Sequence, residues 1–282
     1  MPSSALREAM TPSRRASAAH DMNVLARFLG MRDVPELTRT ALDRLLGHGQ
    51  ADVMVLFGGS ILAGGDVLAQ AMRDDVARTY VIAGGAGHTT QTFRSRVREL
   101  APDVTFADDA PEADVFAAYL EARHGLEPDL LERSSTNCGN NVTCLLDLLR
   151  ERDVPCSSII MAQDATMQRR MDATLRRFAP DVTPVSFATY EVSVVVGEGG
   201  LAVADPPLGM WDVDRYLELL MGEVPRLTDD AGGYGPNGKG YLAHVDVPAE
   251  VGEAFGRLLE ARPDAVRRAD AAYASVRGPA AT

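Results

Sequence analysis

The chain has 282 residues, enough for one α/β core with an added subdomain or for two modest domains. Its composition is globular, 46% hydrophobic and 24% charged, with glycine and proline scattered rather than clustered. With 28 basic against 40 acidic residues the net charge is -12, which argues against nucleic acid or anionic lipid as the main partner. Cys138, Cys144 and Cys156 form neither a paired framework nor a CxxC, so free thiols in a reducing cytosol are expected. The segment Met1 to Ala19 lacks the apolar core of a signal peptide, and no run reaches the roughly 18 apolar residues of a membrane span. The expected location is the cytoplasm.

Residues 1–15 are small and polar and are expected to be loosely held. Two helices are predicted next, over 16–30 and 36–48, the first stopped by Gly30 and the second opening after Pro35. Val53-Met54-Val55-Leu56-Phe57 is an apolar run ended by Gly58-Gly59, the pattern of a strand buried on both faces. An amphipathic stretch, 66–77, leads to a second strand, Tyr80-Val81-Ile82-Ala83, which ends at Gly84-Gly85-Ala86-Gly87. The alternation continues with a helix near 89–100, a short strand near 103–107 and a helix from Pro111 to Arg123.

Leu130-Leu131-Glu132 reads as a connection to a helix over 139–152, where Val142, Leu145, Leu146 and Leu149 share one stripe. A strand at 158–162, a helix at 165–178 and a strand near 182–188 follow. This order calls for right-handed crossovers and a parallel sheet. After Pro206-Pro207 the βα pattern stops. Helices are predicted around Val213–Leu220, 248–261 and 263–274, with the irregular Gly232–Gly240 loop among them. The fold expected is α/β: a Rossmann-like parallel sheet flanked by helices over 51–204. A smaller helical cap is expected from the two ends, 1–50 and 205–282.

In open α/β sheets ligands bind beyond the carboxyl ends of the strands. Four loops there carry candidate residues. Gly58, Gly59 and Ser60 offer free N–H groups at a helix start, suited to an anion, or else a tight turn needing positive φ. Gly84, Gly85, Gly87 and His88, followed by Thr89 and Thr90, exceed what a turn needs and favour ligand binding. Ser135, Thr136, Asn137 and Asn141 belong to a third loop richer in hydroxyls and amides than one helix cap requires. Cys138 beside them has no identifiable histidine partner for nucleophilic work.

The fourth loop holds Gln163, Asp164, Met167, Arg169 and Arg170, and one of the two arginines is expected to form a forked contact to a carboxylate or phosphate. Asp164 is either a helix cap or a catalytic acid. Glu112, heading a helix, either complements the helix dipole or serves as a carboxylate for a ribose, an ammonium group or a proton. His244 and Asp246 are read as structural, and no metal site is expected. GxGxxG, GxxxxGK[ST] and GxSxG are all missing, which excludes a P-loop and counts against a dinucleotide fold or hydrolase.

Several blocks resemble the YdcF-like branch of the YdcF/SanA/ElyC family. They include Gly84-Gly85 with Gly87-His88, Glu112-Ala113, Ser135-Thr136-Asn137-Cys138-Gly139, Asn141, and Gln163-Asp164 with Thr166-Met167-Gln168-Arg169-Arg170. In the cap, Arg215-Tyr216-Leu217, Gly222-Glu223, Pro225-Arg226-Leu227, Gly233-Tyr234-Gly235-Pro236 and His244-Val245-Asp246 also match. The resemblance runs from Asp52 to Val251 and implies a Rossmann-like domain with a smaller helical domain and S-adenosylmethionine as ligand. Many relatives carry Glu where this chain has Asn140. The function expected is S-adenosylmethionine binding, with transfer of a methyl or related group to a small acceptor; Glu112 and Asp164 are the catalytic candidates. Two alternatives stand beside it: an enzyme acting on a phosphorylated or nucleotide-linked metabolite, and a non-catalytic metabolite-binding module. The partners expected are a small molecule and, as an open option, a second copy of the chain.

Overall fold

The computed structural model describes residues 11–87 and 89–266. Its elements in order are α1 (Pro12–Leu29), α2 (Arg39–Leu46), β1 (Ala51–Phe57), α3 (Ala63–Arg73), β2 (Ala77–Ala83), α4 (Thr90–Leu100), α5 (Glu112–His124), β3 (Leu130–Glu132), α6 (Cys138–Glu151), β4 (Ser158–Gln163), α7 (Gln168–Phe178), β5 (Thr183–Ala188), β6 (Val194–Gly197), β7 (Gly200–Val203), α8 (Val213–Leu227) and α9 (Ala249–Ala261). The expectation for residues 1–10 and most of the predicted 263–274 helix fall outside the described residues; the part described, Pro263–Ala265, is a 3-10 turn. The first helix starts earlier than the sequence implied. Thr11 caps it, its side chain accepting from the Arg14 N–H, and Pro12 occupies the first turn, where a missing N–H costs nothing.

The sheet is five-stranded and parallel throughout, in the order β3-β2-β1-β4-β5. It is a Rossmann-like α/β fold. Central β1 is buried along its whole length, and its side chains alternate between two cores. Met54 and Leu56 join Leu68 of α3 and Phe116 of α5 on one face, while Val53, Val55 and Phe57 join Val142, Leu145 of α6 and Met171 of α7 on the other. Burying each such side chain contributes about 1.5–3 kcal/mol, which is why both faces are covered. The edges are protected. β3 has three residues, and the backbone between α1 and α2 lies along β5, with Asp33 N–H donating to Ser186 O at 2.9 Å.

The third strand is 130–132, not the expected 103–107. Both segments are short and apolar, but the Tyr80 N–H is accepted by the Asp129 carboxylate, which leads 130–132 into register with Val81–Ala83. Val104 is buried in the core beside α4 without joining the sheet. A two-stranded antiparallel hairpin, β6–β7, turning through Glu198 and Gly199, was also unforeseen.

The cap is built by both ends of the chain. Met22, Leu25 and Leu29 of α1 share one buried cluster with Tyr216, Leu220 and Val224 of α8 and Val251, Ala254 and Leu258 of α9. Val194 of the hairpin belongs to this cluster as well, whereas Leu37 and Leu42, from the α2 region, pack with the sheet. The division therefore runs through the N-terminal segment: α1 goes with the cap, α2 with the Rossmann-like layer. Arg257 of α9 forks onto Asp21 of α1, whose side chain is nearly sealed, tying the two ends together.

Candidate functional site

Strand register decides where the loops meet. Phe57 pairs with Ala83, Ala83 with Glu132, Leu56 with Ala162 and Gln163 with Ala188, so the strands end at nearly one level. The chain reverses its direction of travel across the sheet between β1 and β4, which opens a crevice there. A cavity of about 960 Å³ lies at this edge, floored by the strand ends and roofed by α8 and the Gly232–Gly240 loop.

Gly58, Gly59 and Ser60 line it. Gly59 has φ +81°, and a Cβ on Gly58 would lie 2.5 Å from Glu112 Oε2 and 3.1 Å from the Gly84 Cα. The turn and the close approach of two backbones both require glycine here. Ser60 is sealed against Thr189, hydroxyl to hydroxyl at 3.0 Å.

Gly84, Gly85 and Gly87 form the neighbouring wall. His88 lies outside the described residues. Glu112 sits between these loops, 6% exposed. Its Oε2 accepts from the Gly59 N–H at 2.6 Å and its Oε1 from the Thr90 hydroxyl at 2.8 Å, while the Thr90 Oγ1 accepts from the Gly87 N–H. Burial pushes its carboxyl above the usual range, against the lowering effect of the Thr90 and Gly59 hydrogen bonds. It therefore holds a proton more readily than a surface glutamate.

The third wall is the start of α6. Asn137 caps the helix, its Oδ1 accepting from the Asn140 N–H, and the Asn140 Oδ1 accepts from the Thr136 and Asn137 N–H groups. Asn140 thus closes a capping box, a task a glutamate performs at the same position. Ser135 Oγ accepts from the Gly85 N–H at 3.0 Å, stitching this loop to the second one. Ser135, Thr136, Asn137 and Asn141 all line the cavity. Asn141 is 7% exposed, and its side-chain amide has no hydrogen-bond partner among the described residues. An amide open to the cavity and without a protein partner is free to hydrogen-bond a bound ligand.

The fourth loop divides. Met167 and Arg170 line the cavity; Gln163, Asp164 and Arg169 do not. Gln163 is fully buried and donates from Nε2 to the Gly58 carbonyl, holding the first loop in place. Arg169 turns toward α1, donating to the Phe28 carbonyl and stacking 4.2 Å above the Phe28 ring. Arg170 forks instead onto Glu223 of α8, its Nη2 3.0 Å from Oε1. Adjacent helical residues point about 100° apart, so only one of the pair faces the cleft.

Asp164, a catalytic candidate from sequence, lies away from the cavity lining and is held by protein donors. Its carboxylate is wholly enclosed and accepts from the Thr166 N–H and hydroxyl, the Tyr190 hydroxyl at 2.8 Å and the Trp211 indole N–H at 2.9 Å. Burial without a cation raises its pKa. Through Trp211 it fastens the cap to the sheet.

Sequence reasoning passed over the cap-side lining: Trp211, Arg215, Arg226, Lys239 and Tyr241, with Arg96 from α4. The signal available was the density of Gly, Tyr and Lys in 232–241, a loop through which the sequence reading expects the cap to close, with none of its residues named as ligand contacts. That loop is pinned internally. Asp229 accepts from the Asn237 N–H at 2.6 Å and pairs with His244, which also meets Asp246. No group of three or more His, Cys, Asp and Glu able to hold a metal occurs among the described residues. No helix among them is long and apolar enough to cross a membrane. No protein-family model matches the chain.

Proposed function

We propose that this cavity binds S-adenosylmethionine and that the protein is a transferase acting on a small-molecule acceptor, as a YdcF-like protein. The observation that carries the reading is the meeting of two glycine-rich strand ends, a buried carboxylate and the unpartnered Asn141 amide on one cleft. The donor set suits this ligand. Glu112 lies where ribose hydroxyls or an ammonium group would meet a carboxylate, the start of α6 favours a carboxylate group, and Met167 and Ile61 supply apolar wall. The cap segments that resemble the family, Arg215 and Tyr234 among them, roof the same volume.

When bound, the cofactor supplies an electrophilic methyl or related group on a sulfonium. The chain's own contribution is positioning and exclusion of water, which is most of what such a transfer needs. Glu112, with its raised pKa, is the group able to receive a proton from an acceptor. Trp211 and, from the 232–240 loop, Tyr234 and Lys239 line the cap side of the same volume.

Calorimetric titration with S-adenosylmethionine and with S-adenosylhomocysteine tests the proposal. One saturable site per chain is expected, weakened about five- to tenfold by Asn141→Ala through loss of one buried hydrogen bond. Absence of binding by both compounds would remove the cofactor from the account.

A further inference from the structure

The charges lining the cavity do not follow those of the chain. In a protein of net charge -12, the walls carry five cations, Arg96, Arg170, Arg215, Arg226 and Lys239, against three carboxylates, Glu112, Asp212 and Glu223. Each of those carboxylates already accepts from protein donors. Glu112 accepts from the Gly59 N–H and Thr90, Asp212 accepts from the Arg215 N–H as the cap of α8, and Glu223 takes the fork of Arg170 with Arg226 at 3.5 Å.

Lys239 is the least satisfied of the cations. It is the only lysine among 28 basic residues. Its ammonium stands 4.7 Å from the Tyr234 ring centroid and has no carboxylate within ion-pair distance among the described residues. The acids of the same loop are engaged locally: Asp229 accepts from Asn237, and Asp230 accepts from the N–H groups of Gly232 and Gly233. The backbone beneath Lys239 is fixed, its N–H donating to the Gly233 carbonyl at 3.1 Å. The ion pairs of Arg215 and Arg96, with Glu218 and Glu99, lie at the surface, where salt and competing anions release them readily; Arg96 also donates to the Met210 carbonyl at 3.4 Å.

We propose that the cap-side half of the cavity is a subsite for a phosphate group on the second substrate, with Lys239 as its point-charge anchor and Arg96, Arg215 and Arg226 as surrounding donors. This rests on the cavity being a two-substrate site. Its volume lies at the top of the range of about 300–1,000 Å³ for single-ligand pockets, so a ligand along the glycine loops leaves room beneath the cap. Cations delivered from α4, α8 and a glycine-rich loop to one volume exceed what a monocarboxylate needs and match a dianion.

The test is equilibrium binding of inorganic pyrophosphate at constant ionic strength, with malonate as the dicarboxylate comparator. Wild type, Lys239→Gln and Arg150→Gln are compared, the last removing an exposed charge outside the cavity. Pyrophosphate is expected to bind wild type and Arg150→Gln alike and Lys239→Gln about tenfold or more weakly, the loss of one charged contact; malonate is expected to bind more weakly than pyrophosphate. No pyrophosphate binding by wild type, no effect of Lys239→Gln, or malonate binding as tightly would overturn the subsite. The same samples are titrated with S-adenosylmethionine. If that compound fails while the pyrophosphate pattern holds, the cofactor reading falls and the phosphate subsite stands.

Discussion

Glu112 joins two loops through its two oxygens, and its environment sets the sign of a pH effect. Its folded pKa is raised, so the folded chain binds this proton more tightly than the unfolded chain. Stability of the free protein from this group is full below the ordinary glutamate range and declines as pH rises through the raised value. Ligand binding that needs the carboxylate runs the opposite way. Affinity for S-adenosylmethionine is expected to fall as pH drops through that same value, and Glu112→Gln is expected to flatten the profile in calorimetry over pH. Asp164 is expected to behave differently. Asp164→Ala strands the Trp211 indole N–H and the Tyr190 hydroxyl in a sealed site, at a cost on the order of 3–5 kcal/mol read by denaturant unfolding.

At the scale of elements, the joint between α7 and α8 carries a buried forked ion pair, Arg170 with Glu223. Removing one partner leaves an uncompensated buried charge. Arg170→Met and Glu223→Leu are each expected to cost about 3–5 kcal/mol, while the double variant costs less than either. Additive losses in that double-mutant cycle would contradict the coupling. Strands β1, β2, β4 and β5 were legible in sequence because two-sided burial writes an apolar run, which glycine ends in β1 and β2. β3 was not. Three residues carry too short a pattern to distinguish 130–132 from 103–107, and the choice rests on pairing with β2, a contact between distant segments. The β6–β7 hairpin was missed although Val194-Val195-Val196 before Gly197-Glu198-Gly199-Gly200 has the composition of one.

Across the whole molecule, the two chain ends fold back as one cap over the carboxyl edge of the sheet, and the cavity exists only because both layers are present. The floor of the site was legible, since strand-end loops are where an open α/β sheet offers its backbone. The roof was not, because nothing in local pattern says that Trp211, Arg226 and Lys239 return to face Gly59. Nor does spacing reveal that Asp164 is enclosed while Arg170 is not; that depends on how the cap docks. The chain has a single tryptophan, and it lines this cavity. Trp211 fluorescence followed during titration with S-adenosylmethionine therefore tests the central claim most directly. A saturable change at one site per chain, shifted to higher concentration by Asn141→Ala, is expected; an unchanged signal in a chain that still unfolds cooperatively would contradict it.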